Sequence, residues 1–387
     1  MFKPVGSICN LNCSYCYYLD KYKMYGKESA MSEKLLEKCI KEYIEINDNE
    51  EICFDWHGGE PLLLGINFFV KVVALQRKYK GNKRIFNTVQ TNATLLNDEF
   101  ASFFKYHNFL VGVSIDGPQD IHDRFRKDKN DNNTFTKVMR GIGLLQRYGV
   151  DFNTMTTINK ASEGRGTEVY AFLKSIGSHY MQFMPVLEYV NPLNNNVVSP
   201  GETDSVLAPY SVNPMEYGKF MCDIFDSWIK KDVGTYYVNL FDSILANWCG
   251  INPGTCVYSE TCGANAVVEH NGDIYPCDHF VYPQYKLGNV TNNSLYDVLS
   301  SNTMFDFGID KRNGLPFKCL KCKYYFACHG ECPKHRFDKT ADGEEYVNSL
   351  CDGLYYFFSH VAPYMEKMKA LFFEGKEVKN VMKDNLE

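Results

Sequence analysis

The chain has 387 residues, 45% hydrophobic and 15% aromatic, which is enough for one large packed domain and a smaller one. Its net charge of −6 supplies no electrostatic footprint for nucleic acid or for an anionic membrane surface. No apolar run approaches the length of a bilayer span, and the opening residues lack a signal peptide's apolar core, so a cytoplasmic location is expected.

Close to the start comes Cys9-Asn-Leu-Asn-Cys13-Ser-Tyr15-Cys16, with three and then two residues between the cysteines. Three thiolates on one short loop can hold three irons of a [4Fe–4S] cube and leave the fourth open to a small molecule. Taken alone, Cys13 and Cys16 fit equally well as half of a zinc site or as a redox pair. Beyond the loop, Ser32 caps a predicted helix whose Leu35, Leu36, Cys39, Ile40, Tyr43 and Ile44 share one face. A strand over Ile52–Trp56 ends at His57-Gly58-Gly59-Glu60-Pro61, and a helix near Phe68–Lys78 follows. The strand Arg84–Val89 ends at Gln90-Thr91-Asn92, a helix covers Asp98–Tyr106, and the strand Phe109–Ile115 ends at Asp116-Gly117-Pro118. A helix over Phe135–Arg147 precedes strands at Phe152–Ile158 and Tyr180–Val186, with a further helix between those two.

Strands alternating with helices imply an α/β fold with a parallel sheet, and about six such units imply an open or closed barrel. Ligand-binding residues gather where the strands of such folds end, which here singles out Gly58, Gly59, Glu60, Gln90, Asn92, Ser114, Asp116 and Gln182. Neither a G-x-G-x-x-G nor a Walker-type loop is present, which argues against a nicotinamide or nucleoside-triphosphate enzyme. Residues 190–214 turn polar and rich in Asn, Pro and Ser, as a lid or a plain surface insertion would. A helix near Met215–Lys230 leads onward, and the tail from about Lys367 is charged and helical in pattern.

Fifteen cysteines without a secretory signal point to ligation, since a reducing cytosol disfavours disulfides and an odd total leaves one thiol over. Cys39, Cys53, Cys222 and Cys249 fall in no recognisable spacing and are read as small apolar core residues. The other eight beyond the first loop are Cys256, Cys262, Cys277, Cys319, Cys322, Cys328, Cys332 and Cys351. Eight thiolates suffice for two fully ligated four-iron clusters, or for two Cys₄ zinc sites.

The first loop, with an aromatic residue just before its third cysteine, resembles the signature of radical S-adenosylmethionine (SAM) enzymes. The later run, Cys319-x2-Cys322-x5-Cys328-x3-Cys332 followed by Cys351, resembles the SPASM extension of radical SAM enzymes that modify peptides and proteins. Over nearly its full length the chain is similar to the anaerobic sulfatase-maturating enzymes. The motifs that carry this likeness are the cysteine loop, Gly58-Gly59-Glu60-Pro61, Gln90-Thr91-Asn92, Val113-Ser114-Ile115-Asp116-Gly117, Tyr275-Pro276-Cys277-Asp278 and the terminal cysteines.

The resemblance implies a partial (β/α)6 barrel over 1–235, a cysteine-rich SPASM-type domain over 236–355 and a helical tail over 356–387. It implies three [4Fe–4S] clusters: one on Cys9, Cys13 and Cys16 that binds SAM, a first auxiliary cluster on Cys256, Cys262, Cys277 and Cys332, and a second on Cys319, Cys322, Cys328 and Cys351. It implies oxidation of a cysteine or serine in a sulfatase to Cα-formylglycine, by a 5′-deoxyadenosyl radical that takes hydrogen from Cβ. For SAM, Glu60 would hold the methionine ammonium, Tyr15 the adenine, and Ser114, Asp116 and Arg126 the ribose and methionine carboxylate. Asp278 would be the base that takes the substrate's thiol or hydroxyl proton, although a turn residue after Tyr-Pro is the plainer reading of an Asp there. Tyr18 and His57 are candidate peptide contacts, the nearby first auxiliary cluster could take the second electron, and a flavodoxin or ferredoxin is the expected reductant. The runner-up is a maturase that forms thioether or carbon–carbon crosslinks; many of those carry a leader-recognition domain ahead of the cysteine loop, where this chain has eight residues. A non-catalytic zinc or iron–sulfur scaffold would leave the open-site loop and the strand-end polar residues unexplained.

Overall fold

The structure, a computed structural model, describes residues 1–25, 30–200, 202, 205–263 and 265–385. Among these the strands are β1 (Phe2–Lys3), β2 (Glu51–Trp56), β3 (Arg84–Thr91), β4 (Phe109–Ser114), β5 (Phe152–Ile158), β6 (Tyr180–Pro185), β7 (Tyr189–Val190), β8 (Val206–Leu207), β9 (Tyr237–Val238), β10 (Val267–Glu269), β11 (Asp273–Tyr275) and β12 (Gly288–Asn289). The chain divides into two compact units built from separated stretches: 1–115, 122–153 and 264–307 form the first, and 116–121, 154–263 and 308–387 the second. These units cut across the sequence boundaries at 235 and 355.

In the first unit seven strands lie in the order β12-β11-β10-β1-β2-β3-β4. β1 to β4 are mutually parallel, as expected where helices return the chain between strands, and β10 lies parallel on the other side of β1. β11 and β12 extend that side antiparallel. The helices Glu33–Glu45, Ile66–Tyr79, Asp98–Tyr106 and Phe135–Tyr148 stand where the periodicity predicts them. The Ser32 Oγ accepts from the Leu35 amide at 3.3 Å and so closes the expected cap. Phe54 stacks on Trp56 and Phe104 on Phe109 to fill the core.

One expectation fails here. Cys39, Cys222 and Cys249 are buried, but Cys53 is exposed. The period of two along β2 buries Ile52, Phe54 and Trp56 and turns Glu51 and Cys53 outward, so alternation overrides the general tendency of a free cysteine to be buried.

In the second unit β5, β6 and β9 pair in parallel. The helices Pro214–Lys231 and Cys351–Phe373 pack on each other. The second of these begins before the expected tail boundary and joins it to the body of the unit. The polar stretch 190–214, part of which lies outside the described residues, contributes the antiparallel ribbon of β7 and β8, with Val190 opposite Val206. No helix among the described residues is long and apolar enough to cross a membrane.

Candidate active site

Every strong feature of the site in the first unit begins at β1. This strand is only two residues long, yet it lies between two partners, so Lys3 has no route to water and is 1% exposed. A buried ammonium needs a counter-charge, and Lys3 finds one in Asp278, with which its Nζ makes an ion pair. The same nitrogen lies 3.3 Å from the centre of the Tyr18 ring, a cation–π contact. Tyr17 donates its hydroxyl to the other Asp278 oxygen at 2.6 Å, and Tyr18 donates to Glu269 on β10. Burial alone would favour the neutral acid, but the Lys3 ammonium outweighs it, with His57 and His279 adding to the effect, and Asp278 is held well below the usual carboxylate range. Burial, and then the Asp278 charge, pushes the Tyr17 phenol well above its ordinary value. Burial brings the His57 imidazole down to about 4, and its Nδ1 accepts from the Gly58 amide at 2.8 Å.

The cysteine loop is strapped down on two sides. The Asn12 and Ser14 amides donate to the carbonyls of Lys127 and Phe125, at 2.8 and 3.2 Å. The strand-end residues after β2 follow the approach to the loop, with the Gly59 amide on Gly6 O at 2.8 Å and the Glu60 amide on Ile8 O at 2.9 Å. A Cβ at position 59 would stand 2.1 Å from Ile8 O, so only glycine allows this close approach. The glycine therefore lets backbone meet backbone, which serves the ligand site by fixing where Glu60 lies.

Glu60 is fully buried. Its carboxylate accepts from the Asn92 amide at 2.8 Å, the Thr91 hydroxyl at 2.8 Å and the Leu62 amide at 3.0 Å, and burial raises it to about 7. The Asn92 side chain reaches Asn10 Oδ1 at 2.9 Å and Cys9 Sγ at 3.7 Å, which couples the end of β3 to the cysteine loop. Gln90 donates to the Ser114 hydroxyl at 2.9 Å. Arg126 is buried, not a surface charge, with its guanidinium carbon 5.6 Å from the centre of the Tyr15 ring. Asp116 and Gln182 belong to the second unit. There Asp116 accepts from the Thr157 hydroxyl at 2.7 Å, and Gln182 donates to Met184 Sδ at 3.5 Å.

Of the later cysteines, Cys277 lies in the first unit beside Asp278 and the other seven in the second. Cys319, Cys322, Cys328 and Cys351 line one cavity of about 380 Å³. Four cysteines lining one cavity are the donor set that a four-iron cube takes. Burial pushes Cys9 and Cys319 up to about 11 and Cys328 to about 12, so these thiols shed protons only as a metal group binds.

Three residues of the site escape sequence reasoning. Lys3 and Glu269 are brought in by pairing of β1 with β10, more than 260 residues away, and nothing local marks either residue. Tyr17 was within reach, because it adjoins the cysteine loop as Tyr18 does. Of this pair it is Tyr17 that touches Asp278, while Tyr18 is buried between Lys3 and Glu269.

Comparison with known proteins agrees with this geometry. The sequence model of the Radical SAM superfamily matches residues 4–173, and that of an iron–sulfur cluster-binding domain (SPASM) matches 256–323. The chain is 46% identical to a serine-type anaerobic sulfatase-maturating enzyme of Bacteroides thetaiotaomicron, over 99% of this chain and 94% of the relative. It is 34% identical to a cysteine-type enzyme of Clostridium novyi, over 92% and 93%. A solved structure of native anSMEcpe with bound AdoMet and Kp18Cys peptide superimposes with a TM-score of 0.84 at 31% identity, covering 95% of this chain and 98% of that one.

Proposed function

Since the chain belongs to the anaerobic sulfatase-maturating enzymes, we propose that it oxidises a serine or cysteine in a sulfatase Cys/Ser-x-Pro-x-Arg motif to Cα-formylglycine with Asp278 as the base. The enzyme is a radical SAM oxidoreductase whose cofactors are SAM and iron–sulfur clusters. When bound, the SAM-binding cluster and SAM together supply the 5′-deoxyadenosyl radical that takes a hydrogen atom from the target Cβ.

What remains for the polypeptide is one proton and one electron. Loss of hydrogen from Cβ makes the adjoining O–H or S–H far more acidic, so a carboxylate held low by Lys3 is a sufficient base. Lys3 and Tyr17 bind one oxygen each, which fixes the carboxylate plane and keeps Asp278 charged before substrate arrives. After proton transfer the Lys3 ammonium remains buried, which favours passing the proton onward to solvent. The remaining electron leaves as the C=O of the aldehyde forms from serine; from cysteine the same losses give a thioaldehyde, which water converts to the aldehyde with release of hydrogen sulfide. The observation that carries this reading is the doubly held Asp278 carboxylate in the same unit as the cysteine loop.

Further assignments follow from the same reading. Cys9, Cys13 and Cys16 hold the SAM-binding cluster, and the two auxiliary clusters take the ligand sets expected from the family. Glu60 receives the methionine ammonium, Tyr15 and Arg126 face adenine and carboxylate, and Gln90, Asn92, Ser114, Asp116 and Gln182 complete the SAM contacts. His57, neutral at pH 7, and Tyr18 serve the peptide side. The domain boundaries at 235 and 355, a cytoplasmic location and a flavodoxin or ferredoxin reductant belong to the same proposal.

The test is mass spectrometry of Cys-x-Pro-x-Arg and Ser-x-Pro-x-Arg peptides incubated anaerobically with loaded enzyme, SAM and reductant. Aldehyde should form, and Asp278→Asn should cut it by about 10²–10⁴-fold while 5′-deoxyadenosine is still made. Aldehyde at the wild-type rate in Asp278→Asn would remove Asp278 from the role, and a crosslinked product in place of aldehyde would overturn the reading altogether.

A further inference from the structure

Two buried cations in the second unit have no part in the reading above. Arg336 follows the short turn Pro333–His335 that Cys332 opens. It is 5% exposed, and its Nε has no hydrogen-bond partner among the described residues. Its Nη2 reaches only Gly330 O, at 3.5 Å. Glycine suits position 330 because its backbone is left-handed, with φ of +72°, and a Cβ would stand 2.2 Å from Leu315 Cδ2 as well as 2.9 Å from that nitrogen. Lys311 is 1% exposed and donates to the carbonyls of Cys256 and Val257 at 2.6 and 2.7 Å.

A buried guanidinium with an unpartnered N–H is costly unless an anion faces it. One carboxylate, Glu331, also acts on Arg336, but it makes no hydrogen bond to the guanidinium; its Oε2 receives His335 at 2.8 Å and Asn348 at 2.6 Å. Besides Glu331, the groups of negative charge that Arg336 faces are Cys332, Cys319 and Cys262, and Lys311 faces Cys262, Cys332, Glu331 and Cys256. Both cations therefore share two cysteines, Cys262 and Cys332, along with Glu331. A four-iron cube on four thiolates carries a net charge of about −2 when oxidised and one more negative charge when reduced. Fixed positive charge beside it stabilises the reduced form more than the oxidised one.

We infer that Arg336 and Lys311 are built-in countercharges of the first auxiliary cluster, placed to make it easier to reduce. This assigns them a function apart from holding the fold: they bias the cluster toward accepting the electron that formylglycine formation must dispose of. Lys311, bonded to two carbonyls of the loop that carries Cys256, also ties that loop in place, and the potential is what separates the two roles. The inference rests on the assignment of Cys256, Cys262 and Cys332 to a cluster.

The experiment is an EPR-monitored redox titration of anaerobically purified holoenzyme, with iron and sulfide analysis, on wild type, Arg336→Gln, Arg336→Lys and Lys311→Met. Signals that change on adding SAM belong to the SAM-binding cluster and are set aside. In Arg336→Gln and Lys311→Met, at full iron content, an auxiliary cluster should become at least tenfold harder to reduce, a downward shift of about 59 mV for one electron. Arg336→Lys, which keeps the charge, should lie closer to wild type. A midpoint unmoved in both charge-removing variants at full iron content overturns the inference. If Arg336→Gln loses iron, retention in Arg336→Lys supports a charge requirement, and loss in both shows that the shape of the side chain is what the site needs. Wild-type enzyme with iron for one cluster alone would instead remove the auxiliary-cluster assignment itself.

Discussion

Lys3 in the first unit and Arg336 in the second are both buried cations, but they are provided for differently. Lys3 meets a carboxylate, an aromatic face and, through Tyr18, a second buried acid, all supplied by the chain. Arg336 lies among cysteines, its Nε has no hydrogen-bond partner among the described residues, and Glu331, which shares its surroundings, makes no hydrogen bond to it. The first arrangement is complete once the chain has folded. The second leaves an N–H without a partner in a setting suited to an added anion, so its cysteines and cations are read as one design. On the proposed reading the contrast also separates what each region does: the first holds a base still, and the second holds charge that arrives with a cofactor.

The sharpest way to break this comparison is to remove Lys3. If its pairing with Asp278 is satisfied within the protein, Lys3→Met leaves a buried carboxylate without its main partner and should destabilise the enzyme by about 3–5 kcal/mol. Urea unfolding of the loaded enzyme at pH 7 measures it. A loss under about 1 kcal/mol would mean that Asp278 is well solvated and that its hold on geometry is weak. The next effect is steric. Gly59→Ala sets a methyl against Ile8 O at 2.1 Å, and a backbone atom cannot swing aside as a side chain can. About 1–3 kcal/mol of stability should be lost, with a larger fall in SAM cleavage, because the displaced segment carries Glu60. Unchanged 5′-deoxyadenosine production in Gly59→Ala would show that the strap does not set the SAM site.

These two residues also mark where sequence reading succeeds and fails. Gly59 and Glu60 are legible because a period-two run ends in a polar, glycine-rich turn, and such strand ends gather ligand-binding residues in α/β folds. The helix over Glu33–Glu45 is legible from its apolar face and its Ser32 cap. The cysteine loop is legible from its spacing together with the strand-end motifs and later cysteines, since Cys13 and Cys16 alone also fit zinc or a redox pair. Lys3 is not, because a two-residue strand has no periodicity and its meaning comes from β10, paired with it across the length of the chain. Arg336 and Lys311 look like ordinary surface charges in sequence, and only their burial and missing or backbone-only partners distinguish them. Cys53 fails for the opposite reason. The alternation that exposes it was present in Glu51–Trp56, and a general tendency for buried cysteine was given more weight than that local pattern.

The smallest predicted effect is a pH dependence in SAM binding, and it tests whether the first unit is as complete as its hydrogen bonds suggest. Burial raises Glu60 to about 7 despite three donors on its carboxylate, so the unliganded enzyme is divided between acid and carboxylate near neutrality. Folding alone favours the acid: Glu60's contribution to stability is fully present below the ordinary carboxylate range and is lost as pH rises through about 7. With Glu60 receiving the methionine ammonium as proposed, SAM binding runs the other way, because that ammonium pairs with the carboxylate only. Affinity should therefore strengthen by up to about tenfold per pH unit on the way up to pH 7 and level off above it. Equilibrium binding of SAM between pH 6 and 8.5 measures the slope, and Glu60→Gln should be weaker throughout and flat across that range. A flat wild-type profile would mean that the donors from Asn92, Thr91 and Leu62 already hold Glu60 ionised. The first unit would then be complete before its ligand arrives, and the contrast with the second would be wider than burial alone implies.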